Sequence, residues 1–424
     1  MGASLNLLRD QPCYVVPEGS FLTPTFCDLH LHAPQFLYQG TGLHLPLMEW
    51  LNEYAFKAEE RIDADPALAR TVYTRLAQRL LEHGTGAVVL FGTIKEQTNL
   101  ILAEVMQEAG IRAYVGKLSM DQSSRKTYVE ASAEDSLEAA SSFADHCFDL
   151  TKVLEQNQRL VEPILTPRFV PTCSDELLSG LGQLSKDKHL RIQSHMAEAH
   201  DQVAWVKEER GMDDIDVFKK HGLLTPQTIQ AHCTFLDPPS LTVVAQHGTA
   251  IAHCPLSNAY FSALPFPLRE ALDTGVRVGL GTDIAGGYSV DIMNAMRQAV
   301  AVSRMREGSR IMTQNHSQNG NLSINWKEAM FLATAGGAAA MGLAHNTGKL
   351  TIGAPFDIQQ IRLFNPEHRT SIGSLDLLDE ETTESIWKLT LEHVEKWWCL
   401  GGVANRSAVW TQGHQRWSST NKTV

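Results

Sequence analysis

The chain has 424 residues, 43% of them hydrophobic and 20% charged. That balance excludes a disordered tail, a collagen-like repeat and a small disulfide scaffold. Thirty-six basic against 48 acidic residues give a net charge of −12, which argues against a nucleic-acid partner because the phosphate backbone is itself anionic.

The seven cysteines are scattered and form no C-x-x-C pair, so unpaired thiols in a reducing compartment are expected. The stretch Met1–Asp10 lacks the basic-then-apolar profile of a signal peptide, and no apolar run approaches the roughly 20 residues that span a bilayer. A cytoplasmic protein with no membrane association is the expectation. The N-x-[ST] sequons at Asn315, Asn321, Asn405 and Asn421 then read as chance.

Residues 1–24 contain one short apolar piece, Cys13–Val16. From there the chain alternates short apolar runs with longer amphipathic stretches. The runs are Thr25–His32, Ala87–Phe91, Arg112–Lys117, Val161–Arg168, Leu190–His195, Thr228–Cys233, Thr249–Cys254 and Arg277–Asp283. They are rich in Val, Ile, Leu and Ala with little polar alternation, the pattern of strands buried on both faces. Between them, helices are predicted over Asp65–Glu82, where Leu68, Val72, Leu76 and Leu80 recur every four residues, and over Glu96–Ala109, Ser136–Gln156, Asp175–Lys186, Asp201–Lys220, Pro239–His247 and Val290–Arg304.

This alternation predicts an α/β fold, a (β/α)8 TIM-like barrel, because eight parallel strands close a sheet. An open doubly wound sheet usually carries a Gly-rich phosphate turn after its first strand, and none is present. The predicted organisation is an N-terminal β appendage over 1–24, the barrel over 25–350, and a C-terminal β appendage with tail over 351–424. In that last segment Phe356–Leu363 and Val403–Gln412 are strand-like. A polar loop, Asn315–Asn325, precedes a helix predicted over Trp326–Met341.

Reactive side chains of a parallel barrel belong at the carboxyl ends of its strands. The polar residues there are His30 and His32, Arg168 and Phe169, His195 with Glu198 three residues on, His232, and Asp283. His30 and His32 are two apart on a strand, so both imidazoles point to one side. With His195 and Asp283 they make a nitrogen and oxygen donor set that suits Zn²⁺ with an open position for water, and Fe²⁺ is chemically possible. Each residue taken alone also has a plain structural reading: Glu198 as a helix cap, Asp283 as loop chemistry, Arg168 as half of an ion pair, Phe169 as core. Their meeting on one rim turns the reading toward a metal centre.

Specific stretches resemble the guanine deaminases of the amidohydrolase superfamily. They are D-L-H-L-H-A-P-Q at 28–35, H-L-P-L-M-E-W-L at 44–51, V-G-K-L-S-M-D at 115–121, T-P-R-F at 166–169 and Q-S-H-M-A-E at 193–198, followed by A-H-C at 231–233, I-A-H-C-P-L-S-N at 251–258 and G-L-G-T-D-I-A-G-G at 279–287. The resemblance implies a (β/α)8 metal-dependent hydrolase that converts guanine to xanthine and ammonia. It implies His30, His32, His195 and Asp283 as metal ligands, Glu198 as proton shuttle, and His232 as the hydrogen-bonding partner of the attacking water or tetrahedral centre. Gln35, Arg168 and Phe169 match positions that hold the purine. No lysine ends strand four, which fits a one-metal member, and a homodimer is implied.

Arg168 is the main substrate clue, because a guanidinium can donate to the C6 carbonyl of guanine, where adenine presents an amine. His253 reads as packing or support behind the site, and Ser257 and Asn258 as rim or turn residues. Trp50, Trp397, Trp398, Cys233 and Cys254 read as core. The segment before His30 is short for the family, so an incomplete β-sandwich is expected, and Pro34 stands where a small polar residue is usual. A related hydrolase acting on 8-oxoguanine, a pterin or another aminated heterocycle is the rival reading, and a barrel kept as a binding scaffold is a second.

Overall fold

The computed structural model describes residues 14–313, 320–344, 346–368, 370–376, 378 and 388–420. Cys13, the sequons at Asn315 and Asn421, and the first part of the Asn315–Asn325 loop lie outside the described residues.

Eight parallel strands run β2 (Phe26–His32), β3 (Thr85–Phe91), β4 (Arg112–Gly116), β6 (Val161–Pro167), β7 (Arg191–Met196), β8 (Thr228–His232), β9 (Ala250–His253) and β10 (Arg277–Leu280), paired in that order. A short piece, β5 (Leu118–Ser119), extends β4 and pairs with β6. The ring closes at its carboxyl rim: the Asp283 N–H donates to the His30 carbonyl at 2.8 Å, and the His32 N–H to the Ile284 carbonyl at 2.8 Å. Asp28 reinforces the join by accepting the Thr282 N–H at 3.0 Å and the Thr282 hydroxyl. Gly281 makes this approach possible, since a Cβ there would sit 2.7 Å from Cys254 Sγ and 2.9 Å from His30 Cβ.

Helices cover the outside. Pro66–Glu82 starts on the Asp65 side chain, which caps Ala67 and Leu68, and it buries Val72, Leu76 and Leu80 against the sheet. The stretch predicted as Asp201–Lys220 is two helices, His200–Arg210 and Asp214–Lys220, broken where Gly211 takes φ 66°. Likewise Trp326–Met341 breaks at Thr334 into Trp326–Ala333 and Ala335–Met341. A helical excursion after β2 was not predicted: Leu47–Trp50, a π-helical turn Leu51–Ala55, and Phe56–Ala64 follow one another without interruption.

The terminal segments meet in an antiparallel sheet ordered β1 (Ser20–Pro24), β11 (Ile358–Arg362), β14 (Arg406–Thr411) and β15 (His414–Ser418). The last of these strands was not predicted. Two further pieces, β12 (Phe364–Asn365) and β13 (Thr370–Ser371), pair with each other. Among the described residues all cysteines are free, with Cys399 exposed and the rest buried, and no helix is long and apolar enough to cross a membrane.

Candidate active site

The rim residues converge. His30 and His32 occupy the end of β2, where the ladder to β3 slips register between Asp28 and Leu31, an irregularity of the kind that re-aims side chains beside active sites. His30 Nε2 lies 3.1 Å and His32 Nε2 3.7 Å from Asp283 Oδ1. His32 Nε2 and His195 Nε2 are 2.9 Å apart, and His232 Nε2 is 3.7 Å from Glu198 Oε2 and 3.8 Å from Asp283 Oδ2. The backbone is left-handed at several of these positions: Ala197 φ 48°, His232 φ 68°, Cys233 φ 55° and Asp283 φ 51°. Such conformations cost non-glycine residues energy and concentrate at functional sites.

Hydrogen bonding orients the rings. His195 Nδ1 is 2.6 Å from the Arg168 carbonyl, which can only accept, so Nδ1 carries the proton and the lone pair of Nε2 faces the cluster. His232 Nδ1 likewise meets Asn258 Oδ1 at 3.0 Å, which gives Asn258 a supporting part. The Nε2 atoms of His30 and His232 are buried without a hydrogen bond. Burial, then the neighbouring histidines, hold His32 and His195 well below the usual imidazole pKa, and burial lowers His232 to about 4. Imidazole nitrogens gathered around a carboxylate are a cation's donor set. Tetrahedral zinc with bonds of about 2.1 Å spaces its ligand atoms about 3.4 Å apart. The ligand-atom pairs above, at 2.9, 3.1 and 3.7 Å, lie near that spacing. Three overlapping triads, His30 with His32 and Asp283, His30 with His195 and His232, and Glu198 with His232 and Asp283, are each close enough to hold one metal ion.

The two carboxyl groups diverge. Burial, then repulsion from Asp283, raises Glu198 well above the carboxylate range. Burial opposes ionisation of Asp283 too, but His30 and His232 pull it below its ordinary value. Opposite shifts of neighbouring acids separate a proton donor from a proton acceptor. Glu198 does not cap the following helix, whose N-cap is Ala199.

A narrow cleft opens beside the cluster, lined among others by Gln35, Trp50, Arg168, Phe169, Glu198 and Phe261. Trp50, read from sequence as core, is a buried core residue that also walls the site, at 5.1 Å from the Phe261 ring. Arg168 does form the ion pair of its structural reading: Nη1 donates to Glu59 Oε2 at 2.5 Å. Its Nη2 remains buried and unpartnered, so the pairing leaves one donor over. Gln35 is more engaged than expected, with Nε2 donating to Glu59 at 2.9 Å and Oε1 accepting the Ala285 N–H at 3.2 Å. His253 is buried against Phe266 behind the site.

A family model described as the amidohydrolase family matches residues 21–404. The chain belongs to the amidohydrolase family. It is 35% identical over 413 residues to the guanine deaminase of Dictyostelium discoideum, covering 97% of this chain and 85% of that one. To the mouse (Mus musculus) guanine deaminase it is 36% identical over 409 residues, covering 96% and 85%. Among solved structures, the guanine deaminase from C. acetobutylicum with bound guanine superposes with a TM-score of 0.83 at 28% identity, covering 97% of this chain and 90% of that one.

Behind Glu198 this amidohydrolase carries a polar relay. The Glu198 N–H donates to Gln202 Oε1 at 2.8 Å and Gln202 Nε2 to Asp214 Oδ1 at 2.8 Å. Burial raises the Asp214 carboxyl to about 7 from 3.8. A folded-state pKa above the unfolded one means that the folded chain holds the extra proton, so stability is full below about pH 4 and is lost as pH rises through about 7. Asp214→Asn is expected to flatten this part of the stability curve, by on the order of a few kcal/mol at most. Urea midpoints at pH 5 and pH 8 check it, and a variant whose midpoint shifts with pH as much as the parent's refutes it.

Proposed function

We propose that this amidohydrolase removes the 2-amino group of guanine hydrolytically, giving xanthine and ammonia. The observation that carries the reading is the buried, unpartnered Arg168 Nη2 on a cleft shared with Glu198, whose carboxyl burial pushes up, and with the histidine cluster. A donor with no partner in a dry site costs about 1–3 kcal/mol, and a ring carbonyl relieves it.

The flat ring enters beside the aromatic side chains of Trp50, Phe261 and Phe169, which line the cleft. Arg168 Nη2 donates to the C6 carbonyl, and Gln35 lines the same cleft, leaving the N3 lone pair to Glu198. His30, His32, His195 and Asp283 would hold one divalent cation, which supplies the Lewis acidity that lets water be deprotonated near neutral pH. Asp283 accepts the proton from the attacking water, and His232 Nε2 hydrogen-bonds the oxygen that becomes bonded to C2. Glu198 delivers its proton to N3, and Asp283 passes the water's proton to the amine so that the C2–N bond breaks and ammonia leaves. Glu198 regains a proton from the C2 hydroxyl as the carbonyl forms, a two-way role suited to a carboxyl of raised pKa. Zinc in preference to iron, supported by the nitrogen and oxygen donors, a cytoplasmic location, supported by the free thiols, and a homodimer, which rests on the family resemblance, belong to the same proposal.

The test is ammonia release from guanine, 8-oxoguanine and a pterin, with metal analysis of the purified protein. Guanine is expected to lead in kcat/KM by at least about tenfold, a difference worth 1.4 kcal/mol, with about one equivalent of zinc or iron. Guanine ranking below either rival overturns the assignment, and a metal-free active protein overturns the donor set.

A further inference from the structure

The residue that organises the substrate end of the cleft is one that no motif named. Glu59 is fully buried on the helix Phe56–Ala64. One carboxylate oxygen accepts from Arg168 Nη1 at 2.5 Å and the other from Gln35 Nε2 at 2.9 Å. One turn earlier on the same helix, the Phe56 ring lies under the guanidinium, 4.8 Å from Arg168 Cζ. The far end of the helix is tied down by Asp63, which accepts the Thr98 hydroxyl and the Lys95 N–H. Arg168 is thus gripped on one edge and one face, and the Nη2 edge is what remains.

Gripping has a chemical consequence. A free guanidinium could turn any of its donors to any acceptor and could bind an anionic ligand by charge. Paired with Glu59 it is neutral as a unit, and its geometry is set by a rigid helix. Glu59 also decides which way the Gln35 amide points, because a carboxylate accepts and never donates. The substrate end therefore offers a fixed donor edge to a neutral ring, and a ring lacking an acceptor at that position leaves the donor stranded.

We infer that Glu59 is a specificity-determining positioning residue, which orients Arg168 and Gln35 together so that the site selects purines with a carbonyl facing Arg168. The inference rests on the guanine reading only in its choice of ring. Binding, which needs no turnover, tests it. Calorimetry on the metal-loaded protein compares hypoxanthine, which keeps the C6 carbonyl, with purine, which lacks it.

The parent is expected to prefer hypoxanthine by about 10- to 100-fold, the range of one buried hydrogen bond. In Glu59→Gln the new amide can satisfy only one of its two donors by acceptance, and the preference is expected to shrink to within about threefold. Glu59→Asp keeps the charge with a shorter reach, guards against a misfolded first variant, and is expected to lose part of the preference. Thermal unfolding of each variant accompanies the titrations. A merely structural Glu59 weakens both ligands equally and leaves their ratio intact. That result in a folded variant, or a parent that binds the two ligands alike, overturns the inference. A parent that selects hypoxanthine yet releases no ammonia from guanine sinks the deaminase reading and leaves the clamp standing.

Discussion

Glu198→Gln is expected to slow ammonia release from guanine by about 10²- to 10⁴-fold, the range of a positioned general acid–base group. The substitution is nearly isosteric and leaves the backbone bond from residue 198 to Gln202 in place. The buried position that raises the carboxyl accepts a neutral amide without cost, so folding and metal content should match the parent. What disappears is a proton that can leave and return. The loss should fall on kcat with KM little changed, since Glu198 contributes to the transition state more than to the resting complex. Steady-state kinetics with metal analysis on the same preparation checks this, and turnover within about threefold of the parent's would remove Glu198 from its role.

Much of this site was legible because its chemistry is carried by rare residue types at strand ends. H-x-H on the first strand, histidines after the fifth and sixth, and an aspartate after the eighth have few uses together, and the eight apolar runs told where those ends are. Glu59 was not legible, for the opposite reason. No helix was predicted around Glu59, so a lone glutamate there carried no signal, and what makes it special is that its helix folds back over the β6 end, more than 100 residues away in the chain. Trp50 was read as core and is core, but its second part as a lining of the cleft was not legible, because an apolar ring that lines a cleft and one that fills a core have the same sequence signature. Ion-pair formation by Arg168 was foreseen as an alternative to substrate binding, yet one guanidinium has donors enough for both. The helix breaks at Gly211 and Thr334 turn on backbone dihedrals of φ 66° and φ −126°, ψ −100°, which periodicity alone does not reveal.

Asp283→Asn separates the two duties proposed for that aspartate. Its backbone φ of 51° is left-handed, a region that asparagine enters more readily than most residues, and the N–H that donates to His30 is untouched. The fold should therefore survive. The carboxylate oxygens lie within 3.1–3.8 Å of His30, His32 and His232, and replacing one by an amide nitrogen removes the only formal negative charge among the four proposed ligands. Affinity for the ion should fall, and activity should drop by about 10²- to 10⁴-fold, equivalent to several kcal/mol of lost transition-state stabilisation. Titrating zinc back to full occupancy distinguishes the duties. If Asp283 both holds the ion and accepts the proton of the attacking water, refilling restores metal content but little turnover, since a neutral amide is no base. Recovery of parental kcat on refilling would confine Asp283 to holding the ion and would pass the proton to His232 or Glu198. Failure of excess zinc to bind at all, with the chain still folded, would show that the charge of Asp283 is what makes three imidazoles into a metal site.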